Sequence, residues 1–196
     1  MNRRFLVLSL VLLLVSSAVL TSCGGSDYKI FSLREGIGHF SMEYPPDYTV
    51  VRIDIRNDAT SRYTDVGFRL QQSPGDEGFS EISVYAWPIE PAESSAALIL
   101  DDLLSRADGI FSDFELLDQY SVMVGDMDGQ VAVFSWTATP ATYSSESEAV
   151  TLPAVSRIVC LCHGDLAWEI HLAADSAAQD AEAEFSHILD TFQILN

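Results

Sequence analysis

The feature that most constrains this chain is a period-two alternation of apolar and polar residues that recurs through most of its length. Across residues 49–56, Val51, Ile53 and Ile55 alternate with Arg52, Asp54 and Arg56, which is the pattern of a strand with one face buried. The rhythm returns over residues 65–71 and 82–87, on either side of Ser73-Pro74-Gly75-Asp76-Glu77-Gly78. A shorter run, residues 39–44, stops at the turn Pro45-Pro46-Asp47. Residues 115–124 and 130–139 flank Gly125-Asp126-Met127-Asp128-Gly129, and residues 155–162 and 166–173 flank His163-Gly164-Asp165, so two hairpins are expected. Two segments break the rhythm. Residues 91–111 place Leu98, Ile99, Leu103, Leu104 and Ala107 at helical spacing between Pro91 and Gly109. Residues 176–189 place Phe185, Ile188 and Leu189 on one helical face, with Ser176 as the expected N-cap. Strands, a helix, two hairpins and a closing helix predict an α+β domain in which one antiparallel sheet is covered by helices.

The first 22 residues belong to a different kind of segment. Met1-Asn2-Arg3-Arg4 is basic, and residues 5–15 are apolar apart from Ser9, the layout of an export signal. The run from Phe5 to Leu20 contains Ser9, Ser16 and Ser17, and it falls short of the ~20 apolar residues of a spanning helix. It ends in Leu20-Thr21-Ser22-Cys23, which resembles the lipobox of bacterial lipoproteins. The resemblance implies that Cys23 is acylated, becomes the new N-terminus, and holds the protein to a bacterial membrane on the extracytoplasmic side of the cell envelope. The expected organisation is a signal peptide over residues 1–22, an acylated N-terminus and tether over 23–37, and one domain over 38–196.

Loss of the signal from the 196 residues leaves 174, close to one ordinary domain. Arg3 and Arg4 leave with it, so 8 basic residues face 29 acidic ones and the net charge is −21. Such a field repels nucleic acid, excluding it as a partner, and favours cationic partners.

The order of elements also resembles the PsbP-like fold. Phe40-Ser41-Met42-Glu43-Tyr44-Pro45 with Asp47-Tyr48-Thr49-Val50, the mid-chain helix, Gly129 leading into residues 131–136, and the closing residues 185–192 carry the likeness over roughly residues 38–195. Tyr48 stands where the family usually has Trp, and Asp47 where Gly is common. The resemblance implies a PsbP-like α/β/α sandwich. It also implies a non-enzymatic role, because the family includes a photosystem extrinsic subunit, a Ran-binding import factor and envelope lipoproteins that act mainly as accessory or assembly components. The expected partner is an envelope protein, and no cofactor is expected.

Cys160, Cys162 and His163, with His171 on the facing strand, form the best metal-like cluster, since thiolate and imidazole suit zinc or copper. The paired spacing of a structural zinc site is absent, and small cysteines filling a strand face are the commoner reading. Cys160 and Cys162 lie two apart on one strand, roughly 7 Å between Cβ atoms, too far to bridge. The alternative to a binding module is therefore a small-ligand or metal carrier using this edge or a cleft between sheet and helix. Asp126, Asp128 and Gly129 superficially suggest a calcium loop, but its twelfth position is Thr137, inside an apolar strand. No Gly-x-Ser-x-Gly elbow occurs, so a hydrolase would need a fold that gathers Ser, His and an acid. Tyr63, Tyr85, Trp87, Tyr143 and Trp168 are candidate interaction aromatics. Trp87 and Trp168 lie in alternating strands and are expected in the core; Tyr143 lies in the polar loop of residues 140–153.

Overall fold

The computed structural model describes residues 28–57, 62–70, 78–90, 95–138 and 152–195. The signal, Cys23 and Tyr143 lie outside the described residues. In chain order the elements are β1 (Lys29–Leu33), β2 (Phe40–Tyr44), β3 (Thr49–Asn57), β4 (Arg62–Arg69), β5 (Ser80–Pro88), α1 (Ala96–Ile110), β6 (Ser112–Val124), β7 (Met127–Ala138), β8 (Leu152–His163), β9 (Leu166–Asp175), α2 (Ala181–Thr191) and β10 (Gln193–Ile194). The alternating segments build an antiparallel seven-stranded sheet in the order β3-β4-β5-β9-β8-β7-β6. The expected α+β architecture, a sheet with helices on its faces, is the one adopted. Beyond that expectation, β1, β2 and β10 form a separate three-stranded sheet.

Each face of the large sheet buries its own core. On one face, the small sheet and α2 cover Val66, Phe68, Ile82, Val84, Trp168, Ile170 and Leu172 with Phe40, Met42, Phe185, Ile188 and Phe192. On the other, α1 packs on β6, β7 and β8, burying Ile99 and Leu100 against Ala132, Phe134, Trp136, Ile158 and Cys160. Both faces of the central strands are thus covered, and in β8 residues 158–162 read as a continuous apolar run. Trp168 is fully buried as expected, whereas Trp87 is only half-buried.

Two local expectations change. Residues 29–33, assigned from sequence to the tether, form β1, pair with β2 and send Leu33 into the core. Helix α2 begins at Ala181, five residues after Ser176, with Asp180 as its N-cap. The reason is Asp175. Its Oδ1 accepts hydrogen bonds from the amides of Ala177 and Ala178 at 2.8 and 3.1 Å, an Asx-type turn that competes with helix initiation. Its Oδ2 accepts from Gly78 and Phe79 at 2.8 and 3.0 Å. One carboxylate therefore holds the end of β9 to the start of β5. Asp175→Ala removes the acceptor of four amide hydrogen bonds and is expected to destabilise the fold by about 2 kcal/mol, measured by urea unfolding; Asp175→Asn, which keeps one acceptor oxygen, should lose less, and equal losses would refute the assignment.

Candidate functional site

Strand parity and strand order decide which side chains meet on the α1 face. Helix α1 covers only the β6-β7-β8 end, so the β3-β4-β5 end carries a polar surface beside it. One rung across the sheet runs Asp54, Asp65, Tyr85, Glu169, Cys160; the next runs Arg52, Gly67, Ser83, His171, Ile158. Arg52 lies across Gly67, where a Cβ would come within 3.2 Å of its guanidinium carbon. From there its Nε pairs with Asp65 Oδ2 at 2.6 Å and its Nη1 with Glu81 Oε1 at 3.3 Å. Its Nη2 donates to Ser83 Oγ at 3.1 Å. Arg69 Nε donates to Glu81 Oε2 at 2.9 Å. This half-buried network is charge-balanced, and its geometry is specific because each acid has an arginine donor.

Deeper under the helix is a second chain of contacts. Trp136 Nε1 donates to Ser156 Oγ at 3.0 Å. Ser156 Oγ lies 3.0 Å from His171 Nε2, and His171 Nδ1 lies 3.6 Å from Glu169 Oε1. Burial pushes the Glu169 carboxyl up to about 7, the Arg106 charge pulling the other way. Burial likewise drives His171 down to about 4, against the Glu81 charge. Glu169 and His171 therefore meet as mainly neutral groups between those values, not as an ion pair.

Serine, histidine and acid in that order are what a hydrolase would require, and sequence spacing did not bring Ser156 forward. The surroundings do not suit catalysis. Ser156 is fully buried, its oxygen takes the Trp136 proton, and it is paired on both sides, with Phe134 and Ala173, in a central strand, which commits the backbone amides there. A histidine held near 4 is also a poor general base at neutral pH. The arrangement is a buried polar network that fixes the tryptophan and histidine rings.

The metal-like cluster does not assemble. Cys160 and Cys162 are free thiols facing α1, and burial raises the pKa of both. His163 is exposed at the β8–β9 turn and by alternation faces away from them. Among the described residues no group of three or more His, Cys, Asp or Glu side chains could hold a metal ion. Asp126 lies in the two-residue turn Gly125-Asp126, and Asp128 lies in β7; Gly125 supplies the positive φ of 60° that the turn needs. Of the other histidines, His187 Nε2 lies 2.8 Å from Glu43 Oε2, under a stacked Tyr28 ring.

The sheet ends in two unequal edges. On β3, exposed Val51 and Ile53 alternate with Arg52, Asp54 and Arg56, the charged pattern that discourages further pairing. The 13-residue β6 carries two register shifts near its start, then runs regularly from Asp118 to Val124. Its last six residues, 119–124, carry no charge, and Tyr120 and Met123 are 38% and 57% exposed. Among the described residues β6 pairs only with β7.

No protein-family profile matches the sequence, and no curated protein matches it. Solved structures do. A protein of unknown function from Pseudomonas aeruginosa aligns with 86% of this chain and 97% of its own at 13% identity and a TM-score of 0.53. The Ran-binding protein MOG1P of Saccharomyces cerevisiae aligns over 88% and 97% at 11% identity and a TM-score of 0.52. Cyanobacterial PsbP (CyanoP) from Synechocystis aligns over 90% and 99% at 14% identity and a TM-score of 0.51. The chain shares the PsbP-like fold over nearly the whole length of these proteins.

Proposed function

We propose that the protein is a non-enzymatic binding module of the cell envelope, held to a membrane by a lipid on Cys23, that accepts an extended segment of an envelope protein along β6. The observation that carries this reading is the uncharged, regularly paired stretch of residues 119–124 on an outer edge. Such an edge presents a row of backbone donors and acceptors to a partner strand, while Tyr120 and Met123 supply apolar contact on its two sides. Asp118 before the stretch and Asp126 and Asp128 after it favour a partner segment with basic flanks. The buried setting of Ser156 speaks against turnover, and the fold is one on which a Ran-binding protein is built.

A photocrosslinking residue at Ser121, in the full-length lipoprotein in intact envelopes, should give a discrete adduct, and the same residue at Ile53 on the opposite edge should not. Tyr120→Lys with Met123→Lys should reduce the adduct at least about tenfold with the circular dichroism spectrum unchanged. Equal adducts from both edges, or an adduct indifferent to the lysines, would remove β6 as the docking edge.

A further inference from the structure

A cavity of about 360 Å³ opens between α1 and the exposed end of the large sheet, lined by Tyr63, Tyr85, Trp87, Leu103, Arg106 and Glu169. Three aromatic side chains and a leucine make it apolar, with the Tyr63 and Tyr85 centroids 6.2 Å apart. Glu169 is 9% exposed and forms no ion pair with a lysine or arginine among the described residues, though the Arg106 charge acts on it. His171 Nδ1 lies 3.6 Å from it, and the other ring nitrogen of His171 is engaged by Ser156. Arg106 belongs to the lining, but its Nη2 is paired with Asp102 of its own helix at 2.9 Å. The other acids of this face have donors: Asp65 has Arg52 and Glu81 has both Arg52 and Arg69. A carboxyl nine-tenths buried without such a donor is costly unless something else completes it.

The lining selects the chemistry of that group. Aromatic walls attract a cation through the negative faces of their rings, and Arg56 already sits over the Tyr63 ring at 5.5 Å from its centroid. A single carboxyl is too few ligands for a metal ion, and it repels anions. The acidic field of the whole chain concentrates cations around it.

We propose that this cavity binds a small organic cation, a quaternary ammonium group seated against Tyr63, Tyr85 and Trp87 with its charge toward Glu169. The site is separate from β6, and its occupancy does not depend on the docking reading. Ammonium ligands of other origin, such as a lysine side chain of a partner, share this chemistry, and the probes below distinguish them.

Calorimetric titration at about pH 8, where Glu169 is ionised, of the chain lacking the first 23 residues, with its folding verified by circular dichroism, uses choline, tetramethylammonium and butylammonium as probes. Its carbon isostere 3,3-dimethylbutanol serves as the neutral control. Choline or tetramethylammonium should bind with a dissociation constant on the order of a millimolar, and the neutral alcohol at least about tenfold more weakly. Butylammonium binding well above both quaternary ions would assign the site to lysine-like primary amines of a partner and overturn the small-molecule form. Glu169→Gln should weaken cation binding at least about tenfold. Tyr63→Leu, which keeps bulk without a π face, should weaken the cation but not the alcohol, and it serves if Glu169→Gln fails to fold. Equal binding of choline and its neutral isostere, or no binding of any cation, would overturn the proposal.

Discussion

Trp168→Ala is expected to lower the unfolding free energy by about 4 kcal/mol, within the range for a fully buried aromatic. Trp168 is 0% exposed, near the start of β9, where the large sheet meets the small one. Its ring lies edge-on to Phe40 and Phe192, with centroids 6.1 and 5.8 Å away, so one side chain links the sheet, β2 and the segment after α2. Gly38 approaches closely enough that a Cβ there would stand 3.1 Å from Trp168 Cη2 and 2.6 Å from the Ala86 methyl, so the space around the indole has no slack. Among the described residues Trp168 Nε1 has no hydrogen-bond partner, so the loss is one of packing and apolar burial. For a domain of this size the melting temperature should fall by about 8–16 °C. Trp87→Ala, on the half-buried opposite face, should cost about 1 kcal/mol. A Trp168→Ala loss no larger than that of Trp87→Ala would show that the two sheets do not depend on this contact.

The second large effect is a dependence of stability on pH that is hidden in the native protein and appears in single variants. Glu169 titrates near 7 when folded and near the usual carboxylate value when unfolded. The folded state therefore holds a proton that the unfolded state releases, and stability falls as pH rises from about 4.5 to 7. His171 is lowered to about 4. Here the unfolded state takes up the extra proton, and stability falls as pH drops from about 6.5 to 4. Each contribution is on the order of 3 kcal/mol over its window, and over the shared interval the slopes oppose each other. The native protein should thus be nearly flat in this respect between about pH 4.5 and 6.5. Glu169→Gln removes one slope and should leave stability rising with pH over that interval; His171→Asn should leave it falling. Urea midpoints at several pH values measure both, and two variants with parallel profiles would contradict the assignment.

Much of the fold was legible because alternation is a local property. Val51, Ile53 and Ile55 against Arg52, Asp54 and Arg56 marked β3 without any knowledge of its neighbours, and Leu103, Leu104 and Ala107 marked α1. β1 was not legible, since Ile30 is exposed and only Leu33 is fully buried; its strand character comes from pairing with β2. Ser176 looked like a helix cap, but Asp175 beside it takes the amides of Ala177 and Ala178, and that carboxylate is held in place by Gly78 and Phe79, about a hundred positions earlier.

The candidate sites were hidden for a different reason. Glu169 and His171 alternate with Trp168 and Ile170 as solvent-facing residues would, and nothing local shows that the second face is also covered. Ser156 meets His171, and Tyr85 meets Glu169, only because β9 lies between β5 and β8, an order that joins distant parts of the chain. Cys160, Cys162 and His163 drew attention by adjacency, and parity then separates them.

The placement of β1 bears on which way the molecule would look from a lipid on Cys23. Lys29 is six positions after Cys23, a leash of at most about 20 Å, and β1 belongs to the layer opposite α1, with Phe31 packed edge-on against Phe68 at 5.1 Å. Were the domain held by a lipid at Cys23, as proposed, its small sheet and α2 would be the layer nearer the bilayer. The cavity at Glu169 would then open on the far side, toward the aqueous compartment.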